Sequence, residues 1–288
     1  MFDRRSVLIG FAALPIAGAA GAQGLNVRAT FESLRARLGP GGRLGVAAWD
    51  RAARDTEFDA ESRYAMCSVF KFPLAAAMLT GVERRQWTLA DELPIAEADL
   101  LEHAPAVRAN LAAGKMTIEA LCAAIIEVSD NSAANILLRR LGGPAALTTF
   151  IRGCGDNVTR CDRLEPELNS NLPDDPRDTT TPKAMLRLMR FLLFGERLSR
   201  ESRVRLASWM ARSSTGRTRL RAGVPQGWRS GDKTGTGANG AHNDIGFALP
   251  PSASPILLAS FISGGDAPEA VRNEIHATVA RLITTGTV

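Results

Sequence analysis

Leu44-Gly45-Val46-Ala47-Ala48-Trp49, near the start of the chain, and Ile256-Leu257-Leu258-Ala259-Ser260-Phe261-Ile262-Ser263, near its end, are the runs on which the fold turns. Both are short and apolar, and both read as β-strands. A tight turn around Asp50 to Arg54 joins the first to another strand, Thr56 to Phe58. Ahead of it, Val27, Phe31, Leu34 and Leu38 fall at helical spacing, and Gly39-Pro40-Gly41-Gly42 ends that helix. Toward the C-terminus, Ser230 to Thr236 and Ile245 to Leu249 read as further strands, and a helix from Pro268 to Ile283 closes the chain.

The middle is different. Ser68 to Glu83 carries Phe72, Ala75, Ala76 and Leu79 on one helical face; Thr117 to Val128, Ser132 to Leu141 and Pro182 to Phe194 also show helical periods. Before the last of these, Cys154 to Thr181 is irregular and rich in Asp, Asn and Pro, and so long a structureless stretch in a compact domain is usually functional. Strands at both ends and helices between them predict an α/β domain built from residues 25–61 and 213–288, with an all-α domain, residues 62–212, inserted into it. A cleft between two such parts is a natural place for a site.

The composition narrows the function. The 288 residues are 45% hydrophobic, enough for a substantial core. Met-Phe-Asp-Arg-Arg, an apolar stretch from Val7 to Ala20 and Ala20-Gly21-Ala22 before Gln23 form an export signal, residues 1–22, which predicts a periplasmic protein. Arg4-Arg5 fits the twin-arginine route, and a Sec signal also opens on basic residues, so the route stays open. The apolar core is too short and too rich in Gly and Ala for a stable membrane anchor. The pI near 9.4 does not signal nucleic acid, because the arginines are strewn singly or in pairs without a basic run or aromatic interleaving. Cys67, Cys122, Cys154 and Cys161 allow up to two disulfides in an exported protein, in three full connectivities. No C-x-x-C pair, H-E-x-x-H motif or Cys/His cluster occurs, so neither metal nor cofactor is expected.

Three short constellations carry chemistry. Ser68-Val69-Phe70-Lys71 places a hydroxyl and an amine on one helical face, where a Lys deprived of part of its basicity can activate the Ser and the helix N-terminus favours an oxyanion. Ser129-Asp130-Asn131 reads alone as a helix cap. Lys233-Thr234-Gly235 reads alone as an edge strand guarded by Lys. Together, in this order, they match the set found in class A β-lactamases and penicillin-binding proteins. Glu165-Pro166-Glu167-Leu168-Asn169 in the long loop resembles the class A segment whose Glu activates a deacylating water. Arg163 and Asp178 stand where that family pairs two charges across the neck of its Ω-loop, here residues 160–178. Leu101-Glu102-His103-Ala104-Pro105, Pro176 to Pro182 and Thr215-Gly216 extend the likeness along essentially the whole mature chain.

The resemblance to class A serine β-lactamases implies their two-domain fold, with a mostly antiparallel sheet flanked by helices, and hydrolysis of penicillins and cephalosporins, conferring antibiotic resistance. It implies Ser68, Lys71, Ser129 and Glu165 as catalytic residues. Lys71, or Glu165 through water, takes the Ser68 proton; Ser129 passes a proton to the departing nitrogen; the N–H groups of Ser68 and Thr236 form the oxyanion hole. Asn131, Asn169, Lys233, Thr234, Thr236, Arg219 and His103 are expected around the substrate. Small-molecule β-lactams and inhibitors are the expected partners, and the chain is expected to be monomeric.

There are departures. Many relatives have an Arg where this chain has His242, and Arg219 is expected to take that role on the substrate carboxylate. The cysteine with which some class A enzymes bridge the residue at Cys67 is replaced by Gly237, which argues against carbapenem hydrolysis. The usual partner position of Cys122 is Ala75, so Cys67 and Cys122 are expected to be buried free thiols. Gly235 to Gly240 spells G-x-G-x-x-G but links two strands, which excludes a dinucleotide site. The alternatives are a D-alanyl-D-alanine peptidase and a penicillin sensor acylated once and held; Glu165 and Asn169 count against both.

Overall fold

The computed structural model describes residues 18–50 and 55–287, with side chains from Val27 onward. In chain order the elements are α1 (Gly18–Ala36), β1 (Arg43–Asp50), β2 (Thr56–Phe58), β3 (Tyr64–Ala65), α2 (Lys71–Glu83), β4 (Glu92–Pro94), α3 (Pro105–Asn110), β5 (Lys115–Thr117), α4 (Ile118–Glu127), α5 (Asn131–Leu141) and α6 (Pro144–Arg152). There follow β6 (Thr179–Thr180), α7 (Pro182–Phe194), α8 (Arg200–Arg212), β7 (Arg229–Thr236), β8 (His242–Leu249), β9 (Ile256–Ser263) and α9 (Glu269–Thr285). The turn expected at Asp50 to Arg54 falls mostly on residues 51–54, outside the described residues. So does most of the expected export signal, whose last residues, from Gly18, open α1.

The two runs that open the sequence reading lie side by side. β1 pairs antiparallel with β9 from Arg43↔Ser263 to Asp50↔Ile256, and the five-stranded sheet runs β2-β1-β9-β8-β7 with every pairing antiparallel. Alternate residues point to opposite faces. Leu44, Val46, Ile256, Leu258 and Ile262 pack with Phe31, Leu34, Ile275 and Val279 of α1 and α9. Ala47, Leu257, Ala259 and Phe261 face the larger core, which takes in α2, α4, α5, α7 and α8. A strand covered on both faces buries apolar residues at successive positions, which is why β9 is apolar from Ile256 to Ile262 but for Ser260. Each fully buried Leu, Ile or Phe contributes about 1.5–3 kcal/mol.

The helical part differs in detail from the sequence expectation. α2 has no single apolar face: every residue from Lys71 to Gly81 is buried, because α4, α5, α6 and α8 surround it. Ala75, Ala76 and Ala77 let those neighbours approach. α6 and α8 were not anticipated; α8 is strongly polar and buries only Ser202, Leu206, Trp209 and Met210. β8 begins at His242 rather than Ile245, and this places His242 inside the sheet. The long irregular stretch holds only a 3₁₀ turn at Glu167–Asn169 and the two residues of β6, which pair with β3. The glycine-rich segment after Gly235 joins β7 to β8, as expected.

Gly81 shows how tightly α2 is enclosed. A Cβ there would lie 1.9 Å from Cζ2 of Trp87, whose ring is fixed by Nε1 donating to the Met78 carbonyl at 2.8 Å and by the Arg140 guanidinium 4.5 Å from its centroid. Replacing Gly by Ala in a helix gains about 1 kcal/mol of propensity. Overpacking costs about 1–3 kcal/mol, and more where the neighbour cannot move. Gly81→Ala is therefore expected to lower stability by about 1–2 kcal/mol in urea denaturation. An unchanged or raised midpoint would show that Trp87 yields.

Candidate active site

The chain reaches Ser68 through a strained residue. Cys67 has φ +46°, in the left-handed region that L-residues avoid, and starts the 3₁₀ turn Cys67–Phe70 that runs into α2. The turn delivers the Ser68 hydroxyl onto Lys71, whose Nζ donates to Ser68 Oγ at 2.8 Å. Lys71 is fully buried, and its Nζ also meets Ser129 O at 2.8 Å, Asn131 Oδ1 at 2.5 Å and Glu165 Oε1 at 3.0 Å. Burial pulls its pKa below the usual lysine value, against the raising effect of Glu165.

Ser129 and Asn131 flank a residue that does what a cap does. Asp130 is the N-cap of α5, accepting from Ala133 N at 2.8 Å, and its other oxygen accepts from Ala106 N and Val107 N. With Asp130 so fixed, and with Ser129 at φ +58°, the two neighbours turn toward Lys71. The cap reading of this motif therefore holds for Asp130. His103 is a brace of the same segment: its carbonyl accepts from Asn131 N at 2.9 Å and its Nε2 lies 2.9 Å from the Val128 carbonyl.

The loop brings Glu165 in from the other side. The Arg163 guanidinium donates to Asp178 at 2.6 Å across the loop neck, and Asp178 also accepts from the Asp162 and Arg163 amides. The Glu165–Pro166 peptide is cis. Asn135, not singled out in the sequence, clamps the Glu165 peptide on both sides, Nδ2 to its carbonyl at 2.9 Å and Oδ1 from its N–H at 3.0 Å. Four residues beyond Asn131 on one helix, it shares that face, which is the one signal that could have found it. Glu165 Oε1 stands 3.4 Å from Ser68 Oγ, and Oε2 accepts from Asn169 Nδ2 at 2.5 Å.

β7, an edge strand, forms the third wall. Lys233 is fully buried rather than a guard at the edge, donating to Ser129 Oγ at 2.9 Å and to the Thr234 carbonyl at 2.7 Å. Burial first, and Lys71 next, hold its pKa well below the usual value. Thr234 Oγ1 lies 2.7 Å from Thr215 Oγ1. Arg219 reaches the strand beneath the cleft, donating to Thr236 Oγ1 at 2.7 Å, the Gly235 carbonyl at 3.1 Å and the Asn243 carbonyl at 2.8 Å. His242 instead pairs with His276, rings stacked 5.2 Å apart, and His276 Nδ1 meets Ser260 Oγ at 2.8 Å. Asn243 ties β8 to the Ser68 turn, donating to the Ala65 carbonyl at 2.9 Å.

All four cysteines are free. A Cβ at Gly237 would fall 2.6 Å from Cys67 Sγ, so the two positions are adjacent and only the second sulfur is missing. Burial, with the Glu165 charge next, pushes the Cys67 thiol up to about 12. No group of His, Cys, Asp and Glu suited to a metal occurs among the described residues. The arrangement can deliver an activated hydroxyl to an acyl carbon, supply cations to an anion beside it, and hold a carboxylate ready to receive protons.

The model of the β-lactamase enzyme family matches residues 31–286. The β-lactamase CTX-M-8 of Citrobacter amalonaticus is 40% identical over 85% of this chain and 84% of its own length. The β-lactamase L2 of Stenotrophomonas maltophilia is 44% identical over 84% of this chain and 80% of its own. Among solved structures, the last common ancestor of Gram-negative bacteria class A β-lactamase aligns with TM-score 0.88 at 46% identity, covering 90% of this chain and 98% of that one. The putative class A β-lactamase PenP from Rhodopseudomonas palustris gives 0.88 at 42%, covering 91% and 100%.

The buried histidine pair has a consequence for stability. Burial, then the Arg219 charge, drops the His242 pKa to about 3 from 6.5. Below pH 6.5 the unfolded chain takes up a proton that the folded state refuses, so stability falls as pH falls from about 6.5 toward about 3. In His242→Gln that slope should be shallower when unfolding is followed by urea at several pH values. Identical slopes would mean that His242 is protonated in the fold.

Proposed function

The chain belongs to the class A β-lactamases, hydrolases of the β-lactam amide bond, and from that premise we propose that Ser68 is the nucleophile and Glu165 the group through which both halves of the reaction exchange protons. The observation that carries this reading is the convergence of Ser68 Oγ, Ser129 Oγ and Glu165 Oε1 on Lys71 Nζ from three separate segments, with Glu165 also reaching Ser68 Oγ. In acylation, Ser68 Oγ attacks the lactam carbonyl and loses its proton either to Lys71, 2.8 Å away, or through water to Glu165. Lys71 Nζ is surrounded by acceptors, as an ammonium is, and it can become a base only by first giving a proton to Glu165 at 3.0 Å. On either route the proton is stored on the same carboxylate.

The Ser68 and Thr236 N–H groups then stabilise the oxyanion, the latter drawn from an edge strand that has no further strand to pair with. Ser129, held between Lys71 and Lys233, protonates the leaving nitrogen and is itself reprotonated through Lys71 by the proton stored on Glu165, which is a carboxylate again before deacylation. Lys233, Thr234 and Thr236, with Arg219 behind Thr236, take the substrate carboxylate. Asn131 meets the acylamide side chain. For deacylation, Glu165, its second oxygen held by Asn169 and its peptide by Asn135, draws the proton from an attacking water. His103 acts by fixing the Ser129 segment.

Penicillins and cephalosporins are the substrates we propose. Residues 1–22 act as an export signal to the periplasm; no helix among the described residues is long and apolar enough to cross a membrane. The mass of the mature protein purified from periplasm should start at Gln23, and retention of Met1 would refute this.

Glu165→Ala should acylate and then stall, gaining the mass of one drug on the intact protein, with turnover reduced by a factor of about 10² to 10⁴. Ser68→Ala should take up no drug. Free turnover by the first variant, or labelling of the second, would reassign the base or the nucleophile.

A further inference from the structure

Behind the tip of the loop lies a second cavity, of about 590 Å³, closed on one side by residues 170–177 and on the other by the body of the protein around Gly41, Arg63 and Gly264. It is distinct from the catalytic cleft: Ser68, Lys71, Glu165 and Lys233 take no part in its wall. Its lining holds four guanidinium groups, Arg43, Arg63, Arg163 and Arg177, against two carboxylates, Asp174 and Asp175.

These charges are not evenly spent. Asp175 is committed to Arg177 through a two-pronged contact at 3.0 and 2.8 Å, and Arg163 to Asp178, which is outside the wall. Among the described residues the carboxylate nearest Arg43 is Asp59, in a loose contact at 3.5 Å, and the guanidinium lies over the Tyr64 ring. Arg63 donates to neutral acceptors, the Val158 carbonyl at 3.1 Å and Thr179 Oγ1 at 2.9 Å, and meets no carboxylate among the described residues. An Arg43 nitrogen donates to the Arg63 main-chain carbonyl at 3.3 Å, and both exposed side chains line this cavity. On the loop side, the Ser170 hydroxyl is buried with no partner among the described residues. The loop tip is tied across the cavity mouth by Asn171, which donates to the Asn239 carbonyl at 2.8 Å and Ser263 Oγ at 3.0 Å.

We propose that this cavity binds a small multivalent oxyanion of the phosphate class, seated against Arg43 and Arg63 and holding the loop tip to the body of the protein. Guanidinium forks match the oxygens of a tetrahedral oxyanion, and two arginines lining one cavity without full carboxylate partners favour a dianion over a monoanion. The loop that closes the cavity also carries Glu165 and Asn169, so an occupant stiffens the segment from which both project.

The test uses the full mature enzyme and inorganic phosphate, titrated against sodium chloride at matched ionic strength. Phosphate is expected to raise Tm with the logarithm of its concentration above Kd, by about 3 °C at tenfold excess over its Kd, and to slow amide exchange at residues 170–177. Both effects should be lost in Arg63→Gln, return only in part in Arg63→Lys, which keeps the charge without the fork, and persist in Arg200→Gln, which changes an arginine elsewhere on the surface. A rise that is equal in chloride, or that survives in Arg63→Gln, overturns the proposal. In the second case Lys233→Ala shows whether the phosphate sits in the catalytic cleft instead, an outcome that leaves the reading of that cleft untouched.

Discussion

The buried ammonium of Lys71 is the interaction around which the active-site half of this protein is arranged. A cation with no exposed surface is tolerated only if acceptors surround it, and they come from three places: its own helix turn in Ser68, the α4–α5 junction in Ser129 and Asn131, and the loop in Glu165. Each of those segments is held by something else. Asp130 caps α5 and fixes α3, Asn135 clamps the Glu165 peptide, and Arg163 with Asp178 closes the loop neck. Removing any acceptor leaves a charge that water cannot reach, so the geometry that prepares Ser68 is also a structural necessity.

The second buried lysine works on a different footing. Lys233 sits in an edge strand whose position is set by β8 and β9, and through them by β1 at the other end of the chain. Beneath it, Asp232 and Asp244 are fully buried, and burial raises both carboxyl groups above their usual range. Burial holds the Lys233 amine down in the same way, with Lys71 adding to it. Arg219 reaches that strand from the segment between α8 and β7, while His242, in the neighbouring β8, turns to His276 and stays neutral. The sheet therefore lines one wall of the cleft with basic side chains, and a neutral histidine pair holds α9 against the same sheet.

Burial explains which residues could be read from the sequence and which could not. Ser68, Lys71, Ser129, Glu165 and Lys233 stand in short local patterns, and three of them sit at or beside an unusual backbone: Cys67 before Ser68 and Ser129 itself at positive φ, and Pro166 after Glu165. Asn243 and His276 act at the far end of a contact made by another segment, with no local pattern to announce them, and Asn135 is announced only by its spacing from Asn131. The same holds for α8, whose polar sequence hides a helix that packs on β7.

By itself the sequence determined the order of the five sheet strands and of α1, α2, α4, α5, α7 and α9, the sheet made from both ends of the chain, and the residue types at the motif positions, because periodicity and turn chemistry are local. Only the tertiary structure decided that α2 is enclosed on every side, that Asp130 is a cap while Ser129 and Asn131 face the lysine, and that His242 turns away to His276. Those outcomes depend on which segments meet in space and on where a buried charge can find a partner, and neither is a property of any single stretch of chain.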